Sequence, residues 1–131
     1  MLMSKDRKVP APVPGLESQA FFDAAKEGRF LIKKCRACGK AHWYPRAICP
    51  FCASEDTEWV ESAGKATIYS YSVMRRVPEP FALAYVTLAE GPTVLTNLVD
   101  CDFDALKIGQ AVTFTFKPAE NGTPVLMFKP A

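Results

Sequence analysis

The chain has one histidine, His42, among 131 residues. Catalysis by paired imidazoles, or by a nucleophile with a histidine base, therefore has almost no material to work with. Apolar runs of membrane-spanning length are also missing. The opening Met-Leu-Met-Ser-Lys-Asp-Arg-Lys has no signal-peptide apolar segment, so a cytoplasmic protein is expected. Residues 61–131 hold six cations against seven acids, so they lack the basic excess that a groove tracking phosphates needs. Acids are absent from residues 29–46, where six cations stand: Arg29, Lys33, Lys34, Arg36, Lys40 and Arg46. That stretch either meets a phosphate-bearing ligand or acidic partner, or offsets negative charge built into the fold nearby.

What is present begins with four cysteines, Cys35-Arg-Ala-Cys38 and Cys49-Pro-Phe-Cys52, separated by ten residues. Two Cys-x-x-Cys knuckles at that distance direct four sulfurs at one point, the arrangement of a structural metal site. Gly39 follows the first pair, where a knuckle takes positive φ. Disulfides or a redox dithiol are the competing readings. A reducing compartment disfavours the first, and the paired motif argues against the second. Four-thiolate sites hold iron as well as zinc, so the ligand set alone leaves both open; zinc is the expectation. With four protein ligands no coordination position is left for a substrate, and the metal is structural. Zinc with four thiolates carries a formal charge of about −2, which the neighbouring cations would offset. His42 lies in the hairpin between the knuckles and is expected at the surface, not on the metal.

A hydrophobic fraction of 49% supports a true core in one ordinary domain or two small ones. Residues 1–16, with Pro10, Pro12 and Pro14, read as a flexible extended arm, and 17–28 as a short helix stopped by Gly28. Residues 29–61 form the metal ribbon. From residue 62 the texture turns to β, with strands expected at 66–74, 82–89, 93–99, 111–117 and 125–129. Gly91-Pro92 and Asn121-Gly122 mark turns, and Asp102 caps a helical turn before Gly109. Five short strands suit a small barrel, most economically an OB-fold over 62–131. The chain is therefore expected to be mainly β with a short N-terminal helix, a rubredoxin-like zinc ribbon, then a five-stranded OB-fold barrel. Tyr69 and Tyr71 on the first barrel strand are expected to be half-buried strand residues more than base-stacking platforms.

The succession Phe22, Gly28-Arg29-Phe30, Cys35-x-x-Cys38-Gly39, Pro45-Arg46, Cys49-Pro50-x-Cys52, Trp59 and Gly64 resembles a known family. It is the two-domain zinc-ribbon/OB-fold acyl-CoA-associated family, long catalogued only as a domain of unknown function. The likeness continues through Val86-x-Leu88-x-Glu90-Gly91 and Leu106-x-Ile108-Gly109-x-x-Val112 to Phe128-x-Pro130. It implies a small accessory protein that works beside thiolase-like enzymes, or hot-dog-fold enoyl-CoA hydratases, and helps to shape an acyl-CoA site. One departure is Gly64-Lys65-Ala66, where two glycines around a single residue are expected.

The residues themselves favour the same role. The four ribbon thiolates are committed, and Cys101 stands between Asp100 and Asp102, which disfavour its ionisation. Two other readings stay open, a nucleic-acid-binding ribbon–OB module and a stand-alone enzyme acting on CoA thioesters. If CoA touches this chain, the loop from Arg75 and Arg76 to Phe81 is the candidate surface. Adjacent guanidinium groups grip phosphates, and the following prolines and Phe81 offer apolar contact; a solvated loop with arginines paired to Glu79 is the alternative.

Overall fold

The computed structural model describes residues 2–4 and 7–131. Met1, Lys5 and Asp6, part of the expected arm, lie outside the described residues.

The helix α1 spans Gln19–Ala25 and buries Phe21, Ala24 and Ala25. It starts later than the polar pattern suggests because the Ser18 hydroxyl accepts the Gly15 N–H at 2.9 Å, holding the preceding turn together. At its other end Glu27 and Gly28 bond back to Ala24 and Ala25 in tightened turns, and Gly28 takes φ of 77°. The ribbon sheet consists of β1 (Leu31–Cys35), β2 (Ala41–His42) and β3 (Thr57–Glu61), with β1 in the middle and both neighbours antiparallel.

Five strands close the barrel: β4 (Lys65–Met74), β5 (Phe81–Leu88), β6 (Thr93–Leu98), β7 (Ala111–Pro118) and β8 (Pro124–Pro130). Their order is β4-β5-β6-β8-β7, closed by the β4–β7 pairing, with β6 and β8 parallel. This is the OB-fold arrangement expected from the strand pattern. Alternation places Ala82, Ala84, Val86 and Leu88 of β5, and Val94 and Leu98 of β6, in the core. One end is plugged by a 3-10 turn, Phe103–Ala105, whose Asp102 cap accepts the Asp104 N–H at 3.1 Å.

The two β units share one apolar core. Phe30 lies edge-on to Phe21 and Trp43 and also meets Phe114 and Phe128, with ring centroids 5.5–6.4 Å apart. Phe21 contacts Phe22 and Phe116 as well. Helix, ribbon and barrel thus meet in one aromatic cluster, which half-buries Phe22 against the chain's own core. The linker at 62–64 is clamped by Glu90, which accepts the Ser62 hydroxyl at 3.0 Å and the Ala63 N–H at 2.9 Å. Gly64 follows with φ of 73°, and a Cβ there would sit 2.0 Å from the Phe114 ring. Only glycine fits that close approach.

The described residues of the proline-rich arm have no regular secondary structure, and they are tethered along the barrel. Leu2 donates its N–H to Asp102 at 3.1 Å and accepts from the Phe103 N–H. The Ser4 hydroxyl bonds the Pro80 carbonyl, Arg7 lies 4.1 Å from the Phe81 ring centroid, and the Val9 carbonyl accepts from Glu120.

Candidate functional site

The two knuckles are built alike. Cys35 N–H bonds the Lys40 carbonyl and Gly39 N–H bonds back to Cys35; Cys49 N–H bonds the Ser54 carbonyl and Ala53 N–H bonds back to Cys49. Gly39 and Ala53 occupy equivalent positions, with φ of 76° and 63°. The left-handed turn expected at Gly39 is therefore repeated at an alanine, at a cost of about 1–2 kcal/mol for the Cβ.

These turns bring the sulfurs of Cys35, Cys38, Cys49 and Cys52 within 4.8 Å of one another. Cys35 and Cys52 Sγ are 3.6 Å apart, and Cys38 and Cys49 Sγ are 3.7 Å apart. A tetrahedral zinc–thiolate centre with bonds of about 2.3 Å sets its sulfurs about 3.8 Å apart. The residues fit the ion. Burial pushes the Cys49 thiol up, but N–H groups of Cys52 and Phe51 outweigh it and bring it down to about 7. Cys52 is eased by the Ser54 N–H, yet the sulfurs of Cys35, Cys49 and Cys38 and its burial drive it up to about 12. Four crowded thiols ionise together when a divalent cation compensates them. Zinc held here by Cys35, Cys38, Cys49 and Cys52 would cross-link the ribbon.

His42 departs from expectation. It is 5% exposed, not at the surface, and neither ring nitrogen has a hydrogen-bond partner among the described residues. The short strand β2 tucks it beneath the hairpin, where burial first, then Lys33 and Arg46, hold its pKa below the ordinary value. It lines an open groove of about 300 Å³ between the ribbon and the β5–β6 turn, along with Trp43, Tyr44, Arg46, Phe51 and Pro92.

The candidate ligand loop has a different character. Arg75 Nη1 lies 2.6 Å from Asp104 Oδ1, across 29 residues of sequence. Arg76 is exposed, and Phe81 is half-buried beneath Arg7. The three therefore sit at one end of the barrel, with one guanidinium already paired to a carboxylate. Next to them, the outer face of β4–β6 carries no charge from Thr67 onward: Ser70 lies opposite Tyr85, Ser72 opposite Leu83, and Tyr85 opposite Leu95. Tyr69 is 68% exposed, because the alternation of β4 that buries Ala66 and Ile68 turns it outward, and so is not half-buried as its spacing suggests. Tyr71 donates its hydroxyl to the Leu106 carbonyl at 2.8 Å. Cys101 is half-buried, and burial, then Asp100 and Asp102, push its thiol up, so it offers no activated nucleophile.

Two family models match in tandem: "ChsH2, rubredoxin-like zinc ribbon domain" over residues 22–58 and "ChsH2, C-terminal OB-fold domain" over residues 59–117. A DUF35 domain-containing scaffold protein of Methanothermobacter thermautotrophicus is 36% identical over 91 residues, covering 64% of this chain and 68% of that protein. The chain belongs to the DUF35 family.

Other likenesses differ in extent. A probable enoyl-CoA hydratase alpha subunit of Thermomonospora curvata is 35% identical over 93% of this chain, which spans 40% of that relative's length. A solved structure described as an Ltp2-ChsH2(DUF35) aldolase matches with a TM-score of 0.81 and 34% identity, covering 92% of this chain and 98% of that one. A Sulfolobus solfataricus DUF35 protein of unknown function, 19% identical with a TM-score of 0.65, shares the fold. The ribbon and barrel described above are thus the DUF35 architecture, and the zinc ribbon is part of it.

Proposed function

We propose that this chain is a non-catalytic scaffold subunit that docks on a thiolase-like enzyme, or a hot-dog-fold hydratase, and helps to shape its acyl-CoA site. The observation that carries the reading is the likeness, end to end, to the DUF35 chain of a structure described by two protein names, Ltp2 and ChsH2. The chemistry of this chain agrees with it. Its metal site is closed by four thiolates, its histidine is buried without a base or nucleophile bonded to it, and its remaining thiol is pushed toward the neutral form. The uncharged outer face of β4–β6 lacks the cations that nucleic-acid binding by an OB-fold requires.

Co-expression with a thiolase-like subunit tests the reading. The expected result is a stoichiometric complex that buries well over ~1,000 Å² and survives size-exclusion chromatography. A chain that stays apart from thiolase-like and hydratase subunits alike contradicts it.

Within such a complex, we place the CoA phosphates near Arg75 and Arg76, with Phe81 beside the pantetheine or acyl portion. Arg75 would exchange Asp104 for a phosphate, and Arg76 is exposed at the same loop. Calorimetry of the complex should show weaker acyl-CoA binding for the Arg75→Ala/Arg76→Ala double variant, by roughly tenfold or more for the loss of two charge-assisted contacts. Unchanged affinity would mean that the loop is only a solvated part of the surface.

A further inference from the structure

The three arginines of the ribbon are treated unequally by the fold. Arg29 bonds Glu61 at 3.0 Å and Glu27 at 3.4 Å. Arg36 bonds Glu58 at 2.8 Å and Asp56 at 3.2 Å. Arg46 is exposed and has no ion pair or hydrogen bond from its side chain among the described residues. Compensation of the metal site's negative charge does not account for that difference, since Arg36 lies beside Cys35 and still takes two carboxylates.

Arg46 sits on the rim of the groove between ribbon and barrel, and the groove is furnished for protein recognition. Tyr44 is 62% exposed and Phe51 57%, while Pro92 supplies an apolar wall from the barrel side. No acid is among the lining residues. Lys40 Nζ stands 5.1 Å from the Phe51 ring centroid and adds positive charge to the same side. The floor holds His42, 95% buried by its 5% exposure, with hydrogen-bonding capacity that no described residue uses. Exposed aromatics around one arginine with a planar fork are the composition of a protein–protein hot spot. A phosphate site would gather several cations or backbone N–H groups around one point, and here a single guanidinium lines the groove.

We infer that the Arg46 groove is where an acidic loop of the catalytic subunit docks, its Asp or Glu carboxylate on the Arg46 guanidinium and its apolar neighbours between Tyr44 and Phe51. This rests on the scaffold reading above and assigns it a surface. The bond is charge-assisted and bidentate, so it needs the arginine fork as well as the charge. The Pro45-Arg46 motif thereby gains a role that neither the metal nor the core requires.

The test measures affinity of the thiolase-like subunit for wild-type chain, Arg46→Glu, Arg46→Lys, Tyr44→Ala and, as a control on the barrel face, Leu83→Ser. Zinc content and far-UV circular dichroism establish that each variant is folded. The expected result is a Kd raised roughly tenfold or more by Arg46→Glu and Tyr44→Ala, a smaller rise for Arg46→Lys, and little change for Leu83→Ser. Hydrogen exchange in the complex should show protection at residues 41–51. If the wild-type chain does not bind the subunit, the scaffold reading itself fails. If it binds and Arg46→Glu binds equally well, the scaffold reading stands and this surface is overturned. Calorimetric binding of CoA or inorganic phosphate to the wild-type chain alone, abolished by Arg46→Glu, would make the occupant a small anion and also overturn it.

Discussion

Replacing Cys38 by serine is expected to release the zinc and unfold the ribbon, while the barrel retains its own core. The ribbon sheet has three strands, one of them the two-residue β2, and both knuckles hold left-handed turns. Little besides Phe30, Leu31 and Ile32 supplies it with buried apolar side chains. Metal binding is then its folding energy, about 10–16 kcal/mol apparent for such sites. A serine oxygen in place of one thiolate removes a ligand and leaves three cysteines to hold the ion. The barrel keeps Ile68, Val86, Leu88, Val94 and Leu98 on the inner face of its own closed strands, although that core is continuous with Phe30 of the ribbon. Elemental analysis should find one zinc per wild-type chain and none in the variant, and NMR should show ribbon resonances collapsed while barrel resonances persist. A metal-free ribbon that remains well folded would defeat the assignment.

The Phe30→Ala variant is expected to lose about 3–5 kcal/mol, the usual range for a buried phenylalanine. Phe30 is 1% exposed and touches rings from the helix, the ribbon and the barrel. Its loss would leave a cavity at the point where all three meet, and neighbouring rings cannot all move in to fill it. Thermal unfolding with zinc content held equal should show Tm lowered by about 10–20 °C. A change of less than about 1 kcal/mol would mean that ribbon and barrel are stabilised separately and that the aromatic cluster does not couple them.

Much of this was legible in the sequence because it is local. Cys-x-x-Cys knuckles declare their geometry by spacing, and the alternation of Val112, Phe114 and Phe116 states a strand with one inward face. That five short strands close into a small barrel follows from their number and length; their order, with β6 and β8 parallel, comes from the structure. What the sequence concealed depends on distant pairings. His42 reads as a surface residue until the fold is complete, when it is 5% exposed on the floor of the groove between ribbon and barrel. Arg75 finds Asp104 through the barrel's closure, across 29 residues. The arm's prolines announce an extended chain, but its anchorage to Pro80, Asp102 and Glu120 involves residues far along the sequence, 76 positions away for Ser4 and Pro80 and 100 for Leu2 and Asp102. Ala53 occupies a left-handed turn that no alanine advertises; its equivalence with Gly39 becomes visible only when the two knuckles are superposed by their hydrogen bonds. Arg46 was visible as one of six cations, and its distinction from Arg29 and Arg36 appears only once their acids are located.

The scaffold claim is tested most directly by acyl-CoA turnover in three preparations: this chain alone, the thiolase-like subunit alone, and the purified complex. The account predicts no turnover by the chain alone, and activity or acyl-CoA affinity in the complex above that of the subunit alone. Turnover of an acyl-CoA by the zinc-loaded chain alone would contradict it.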